Sequence, residues 1–199
     1  RFMLARVDSS APRSALWITA PSVESLASLE LFSLDGKVAG RWRSVVKPLA
    51  SDSSRRNISD ILLFDASGSL ATDVDGAIAN AFGNDTVAKT TRIGVYWENY
   101  GASAADSTRT VSLTLTPIAP GVVTRFLRAL GVGKKLTPVE VRWHDAGAGA
   151  EVQPRSIALD LSQVTPGRYE LRLTLGDGMK ASSASRLIVV KERSAGAPR

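Results

Sequence analysis

Hydrophobic and polar residues alternate with a period of two along most of this chain. The pattern is sharpest at residues 92–101, where Ile93, Val95 and Trp97 fall on one side and Tyr96, Glu98 and Tyr100 on the other. Successive side chains of an extended chain point to opposite faces, so this stretch predicts a strand with one bulky apolar face and one amphipathic aromatic face. Residues 108–116 repeat the pattern, with Val111, Leu113 and Leu115 inward and Thr110, Ser112, Thr114 and Thr116 outward. The same period puts Val139, Val141 and Trp143 on one face at 139–143, and Ile157, Leu159 and Leu161 on one face at 156–161. A turn at 161–168 then feeds Tyr169, Leu171, Leu173 and Leu175, and a last strand is expected at 183–191 after Gly176-Asp177-Gly178. A tyrosine opening a strand just after a turn predicts a tyrosine corner, whose hydroxyl bonds back to upstream backbone at the corner of a sandwich.

The first half of the chain is less regular. Strands are expected at 2–7, 15–20, 28–34 and 37–46, with Pro12 and Pro21 as breaks. Asp35-Gly36 between the last two predicts a hairpin with a two-residue connection. Residues 48–57 are polar and aperiodic and read as a loop. The run Ile61-Leu62-Leu63-Phe64 within 58–65 predicts a strand buried on both faces. Residues 75–82 suit a helical turn or two stopped by Gly83-Asn84, in a stretch that reads as a junction between two halves. A second helical spacing occurs at 122–130, where Val122, Val123, Phe126, Leu127 and Leu130 oppose Arg125 and Arg128. The fold class expected is all-β: two immunoglobulin- or fibronectin III-like β-sandwich units with one or two short helices. The first, smaller unit and the junction occupy 1–88, the second occupies 89–193, and 194–199 form a disordered tail.

Composition narrows the classes. Hydrophobic residues at 44% and charged residues at 22% describe a folded chain. The longest aliphatic run, residues 187–190, falls far short of the roughly 20 apolar residues of a membrane-spanning helix. The sequence contains no cysteine, which removes disulfides, thiol catalysis and zinc thiolate sites. It begins at Arg1, from which a removed or unseen leader or anchor is expected. A net charge of +6 with pI near 10.0 suits an acidic counter-surface, or simply a solvated, soluble exterior. The charge is concentrated at Arg125, Arg128, Lys134, Lys135 and Arg142, opposed there only by Glu140. Beside an amphipathic turn this cluster fits anionic lipid headgroups; equally, Phe126 and Leu130 could cap the sandwich and leave the cations solvated. Nucleic acid is disfavoured, because aromatics do not interleave with the cations as stacking platforms do.

Catalytic constellations are hard to assemble. His144 is the single histidine, and Ser67-Gly68-Ser69 lacks the frame of a nucleophile elbow. Asp73-Val74-Asp75-Gly76 matches the middle of a calcium loop, but Ala71 and Phe82 stand where ligands should be, so a turn is expected. Gly131-Val-Gly-Lys-Lys135 has Arg128 where a phosphate loop needs glycine. No catalytic, cofactor or metal residue is assigned. Tyr96 and Tyr100 are candidates for a partner interface, with intramolecular packing of that face the competing reading.

Four segments carry a resemblance: Ile58-Ser-Asp-Ile-Leu-Leu-Phe-Asp65, Arg92-Ile-Gly-Val-Tyr-Trp-Glu-Asn-Tyr-Gly101, Val139-Glu-Val-Arg-Trp143 and Pro166-Gly-Arg-Tyr-Glu-Leu171. In this order they resemble the C-terminal β-sandwich region of bacterial GWxTD-motif envelope proteins, over residues 25–192. The resemblance implies an exported β-sandwich with little assigned chemistry. The GWxTD signature is absent from this sequence, so no role tied to it carries over. In size, lack of enzymatic residues, basic charge and the removal expected before Arg1 the chain is also similar to the membrane-extrinsic polypeptides that hold a bacterial photosynthetic reaction centre inside its light-harvesting ring. That implies a non-enzymatic scaffold subunit, periplasmic or in the cell envelope and peripheral to the membrane, which binds and stabilises an integral membrane protein complex. The alternative is a carbohydrate- or ligand-binding accessory module of the envelope, using Tyr96, Tyr100 or Trp42.

Overall fold

The computed structural model describes residues 23–33, 35–37, 39–47, 57–100, 108–118, 138–146, 150–178 and 181–192. Among these the chain forms eleven strands and one short helix: β1 (Ser25–Phe32), β2 (Ala39–Val46), β3 (Asn57–Ile58), β4 (Leu62–Asp65), α1 (Val74–Ala79), β5 (Thr86–Ala88), β6 (Arg92–Tyr100), β7 (Arg109–Pro117), β8 (Val139–Asp145), β9 (Val152–Asp160), β10 (Gly167–Leu175) and β11 (Ser182–Lys191). The strands expected at 2–7 and 15–20, the helix at 122–130 and the tail at 194–199 lie outside the described residues, as does nearly all of the 48–57 loop.

β6 is the middle of one sheet. β9 runs antiparallel along one edge for its full length, from Arg92 opposite Asp160 to Tyr100 opposite Val152. The other edge is shared by β3, opposite Tyr100 and Asn99, and β4, opposite Tyr96 to Ile93. The second sheet has the order β5-β11-β10-β7-β8, antiparallel except for the β5–β11 pair. The inward columns meet in one core: Ile93, Val95 and Trp97 from β6, Val111, Leu113 and Leu115 from β7, and Tyr169, Leu171, Leu173 and Leu175 from β10. All ten are buried, and removing each from water is worth about 1.5–3 kcal/mol before the entropy of ordering it. Val111, Leu113 and Leu115 lie in register with Leu175, Leu173 and Leu171, so the alternation in β7 and β10 builds one continuous apolar surface. The all-β sandwich expected from the period of two is therefore observed.

The tyrosine corner is present. Tyr169 is buried and its hydroxyl donates to the Thr165 carbonyl at 2.5 Å, four residues upstream. This bond pins the turn entering β10 to the strand itself, a hallmark of immunoglobulin-like sandwiches.

The stretch expected as one strand at 58–65 is two. The Ser59 amide donates to the Glu98 carbonyl, while the Ser59 hydroxyl accepts from the Glu98 amide, each at 2.9 Å. A side chain thus replaces a ladder acceptor, and regular pairing resumes only at Leu62. Burial on both faces holds: Leu63 enters the main core, and Phe64 enters a second cluster with Ala66, Ala77 and Tyr96.

α1 covers that second face instead of joining two halves. Its N-cap is Asp73, which accepts from the Gly76 amide at 2.8 Å, and Asp75 in the first turn suits the positive end of the helix. It stops before the expected Gly83-Asn84 because the backbone of residues 80–82 is used by β4: the Asp65 amide donates to Asn80 and the Phe82 amide to Leu63. Phe64 lies opposite Gly94 in register, and a Cβ on Gly94 would fall 2.1 Å from the Phe64 ring. Glycine at 94 is what lets the ring lie on the strand.

The hairpin of β1 and β2 forms, but its connection is longer than two residues, since the last pair is Phe32 opposite Ala39. The Gly36 amide donates to the Ser33 carbonyl at 2.9 Å, and Gly36 takes φ +71°, which favours glycine. Asp35 stabilises this wider turn, its Oδ1 accepting from the Ser33 hydroxyl at 2.5 Å and the Lys37 amide at 3.2 Å. The boundary expected at residue 88 falls inside a sandwich, because β3, β4 and β5 pair with β6 and β11. Before residue 57 the described residues contribute a two-stranded sheet rather than a sandwich.

Candidate functional site

At one end of the sandwich the inward columns change from apolar to polar. In β6 the series Ile93, Val95, Trp97 continues as Asn99, and β7 begins at Arg109 before Val111. β8 ends at Asp145 after Trp143, and β9 begins with Gln153 and Arg155 before Ile157. Antiparallel pairing brings these ends together, with Arg109 opposite Asp145 and Asn99 opposite Gln153. Arg155 grips both Asp145 carboxylate oxygens through Nε at 2.9 and 2.8 Å and reaches the Ala146 carbonyl at 2.9 Å. The Trp97 indole donates to Asn99 Oδ1 at 3.0 Å, and the Trp97 and Trp143 rings meet edge-on with centroids 6.1 Å apart. Asn99, Arg109 and Gln153 are buried, and Asn99 Nδ2 has no hydrogen-bond partner among the described residues. The layer closes the end of the core with hydrogen bonds. Asp145 is thereby committed to Arg155 and not to its neighbour His144, which is exposed on β8.

The aromatic face of β6 is organised by Glu98. The Tyr96 hydroxyl donates to Glu98 Oε1 at 2.9 Å, and the Tyr100 hydroxyl donates to Oε2. Burial, reinforced by the neighbouring carboxylate, pushes the Tyr100 phenol up to about 12 and raises that of Tyr96 as well. Tyr96 is a core residue packed with Phe64, Ala66 and Ala77, so it offers no ring to a partner. Of the two sequence readings of Tyr96, the partner interface is corrected here and intramolecular packing is the one observed: the neighbouring α1 covers the face that alternation alone leaves open. Tyr100 is half-buried.

Arg142, on the outer face of β8, is exposed and paired with Glu140 at 2.5 Å. Arg125, Arg128, Lys134 and Lys135 lie outside the described residues. Asp73 and Asp75 belong to the start of α1, in agreement with the turn expected there.

The β1–β2 hairpin presents another surface, on which Trp42 is the residue singled out from sequence. Cross-strand pairing puts Leu29 beside Trp42 and Leu31 beside Gly40 on one face, which continues through Ala27, Ser44 and Val46. Leu29, Leu31, Trp42 and Val46 are 39%, 52%, 57% and 51% exposed. The other face is mixed, with Arg41 paired to Glu30 at 2.8 Å. Residues 28–34 and 37–46 do show the period that predicts this, but period alone cannot say that no described residue covers the apolar side.

No protein-family model matches the chain. No curated protein matches it either. Similar solved structures include an immunoglobulin-like protein from Pseudomonas aeruginosa, 19% identical, covering 71% of this chain and 100% of that one with a TM-score of 0.39. The soluble domain of PmoD from Methylocystis sp. is 14% identical and covers 67% of this chain and 90% of that one, with a TM-score of 0.32. The sandwich assignment stands on the chain's own sheets and its tyrosine corner. Among the described residues no helix is long and apolar enough to cross a membrane.

Proposed function

We propose that this chain is a non-enzymatic, membrane-extrinsic scaffold subunit that docks on an integral membrane protein complex through its β1–β2 hairpin. The observation that carries the reading is the apolar hairpin face formed by Leu29, Leu31, Trp42 and Val46, all substantially exposed. An isolated two-stranded hairpin is marginal in water, and a contiguous exposed apolar patch marks an interaction site. The sandwich then serves as the folded body that carries the hairpin. A glycan-binding reading would use Trp42 as a platform, but the face around it is built of Leu29, Leu31, Ala27, Gly40 and Val46, with Ser25 and Ser44 as its hydroxyls, the first of them already donating to the Val23 carbonyl. Sugar recognition needs polar groups convergent on the ring, so a protein partner fits this face better. The resemblance to extrinsic photosystem subunits makes a reaction centre–light-harvesting complex the first partner to test.

The test is retention on membranes from the native source, compared with protein-free vesicles of the same lipids. The wild-type chain is expected to be retained on the native membranes and not on the vesicles, and Leu31→Glu/Trp42→Glu is expected to lose most of that retention. Equal binding to both, or full retention of the variant, overturns the reading.

A further inference from the structure

An edge strand presents unpaired amide and carbonyl groups to any chain able to pair with it, and proteins blunt such edges with proline, bulges or short length. The sandwich treats its edges unequally. β5 is three residues long, and the outer side of β4 is used by residues 80–82. β9 carries Pro154, which has no N–H to offer. β8, the last strand of its sheet among the described residues, is defended by charged side chains alone: it runs seven residues without proline, in unbroken register with β7 from Val139 to Asp145. Its inward-pointing Val139 and Val141 remain 46% and 40% exposed and line a narrow apolar cleft with Leu159 and Val164. Its outward-pointing Glu140 and Arg142 are exposed and of opposite charge.

We propose that β8 is a self-association edge, through which two copies of this chain pair antiparallel about a two-fold axis at Val141. In that register Glu140 of each copy faces Arg142 of the other, Val139 faces Trp143, and Val141 faces Val141. The interface is isologous, so the Glu140–Arg142 and Val139–Trp143 pairs each occur twice, with the Val141 pair on the axis. The charge order selects this register: an axis at Arg142 would oppose two guanidiniums, and an axis at Glu140 two carboxylates, both destabilising across a strand pair. The partner is thus a second copy, and the contact is separate from the hairpin face.

Sedimentation of the full chain against concentration tests this. The wild type is expected to dimerise, and Glu140→Arg or Arg142→Glu alone to weaken association about tenfold, by setting like charges opposite one another twice. An equimolar mixture of the two single variants is expected to recover the wild-type affinity, because each then supplies the charge that the other lacks. The chain has no cysteine, so Val141→Cys supplies an independent reading: mild oxidation should give a disulfide dimer, whereas Thr114→Cys on the neighbouring β7 should not. A wild type that stays monomeric to about 1 mM overturns the proposal, as do single variants that associate like wild type or a mixture that fails to recover.

Discussion

Glu98 fixes two phenols at once, and the consequence appears at high pH. An unfolded tyrosine titrates near 10, whereas Tyr100 in the fold is raised to about 12 and Tyr96 is raised too. Between these values the unfolded chain releases protons that the native chain keeps. The contribution of the pair is therefore fully present below about pH 10 and declines above it, the part from Tyr100 being lost as pH rises through about 12. The urea midpoint of the wild type should fall across this window, and that of Tyr96→Phe/Tyr100→Phe should fall less steeply. Parallel falls in the two proteins would show that the phenols are not the groups responsible. Sequence alternation placed Tyr96 and Tyr100 on one face with Glu98 but could not show that α1 buries the first and leaves the second half-exposed. The same limit explains Asn99, Arg109 and Gln153: their inward parity is legible, yet polar residues at strand ends read as fraying unless the neighbouring ends are known to converge.

At the level of elements, the strands declared themselves where one face is apolar and the other polar, as in β7 and β10. They were misjudged where a side chain or a third segment takes over backbone hydrogen bonds, as Ser59 does between β3 and β4 and residues 80–82 do at the end of α1. The β4–β6 pair adds a steric condition that no periodicity reveals, since the Phe64 ring occupies the space a Cβ on Gly94 would fill. Gly94→Ala should cost about 1–3 kcal/mol, the range for overpacking a closed site. Phe64→Leu removes the ring atoms in conflict, so the double variant should be more stable than the sum of the single effects predicts, by about 1 kcal/mol. A double-mutant cycle by urea unfolding measures the coupling. Strict additivity would mean that the backbone, not the ring, limits the position.

For the whole molecule, the decisive correction concerns where the sandwich begins. Ile58, Ile61, Leu63 and Val87 belong to the same core as Trp97 and Leu173. Arg186 on β11 donates to the Asp85 carboxylate at 2.9 Å and to the Ile61 carbonyl at 3.1 Å, tying the second sheet to residues before 88. The stretch that reads as a junction between two halves holds α1 and turns between strands of one sandwich, and turns within a sandwich look the same in sequence as linkers between sandwiches. A fragment of residues 57–192 should therefore unfold cooperatively, within about 0.5 kcal/mol of the full chain, because the hairpin's sheet is separate from the two sheets of the sandwich. A fragment of residues 89–192 should not fold. It loses both strands on one edge of β6, the β5 strand that pairs with the outer edge of β11, and the cover over Tyr96, leaving the two sheets with unpaired edges and an open core. Urea unfolding followed by tryptophan fluorescence separates the cases, because Trp97 and Trp143 report from within the sandwich. If the shorter fragment gives a cooperative transition like that of the longer one, β3 to β5 are accessory and the sandwich is complete without them.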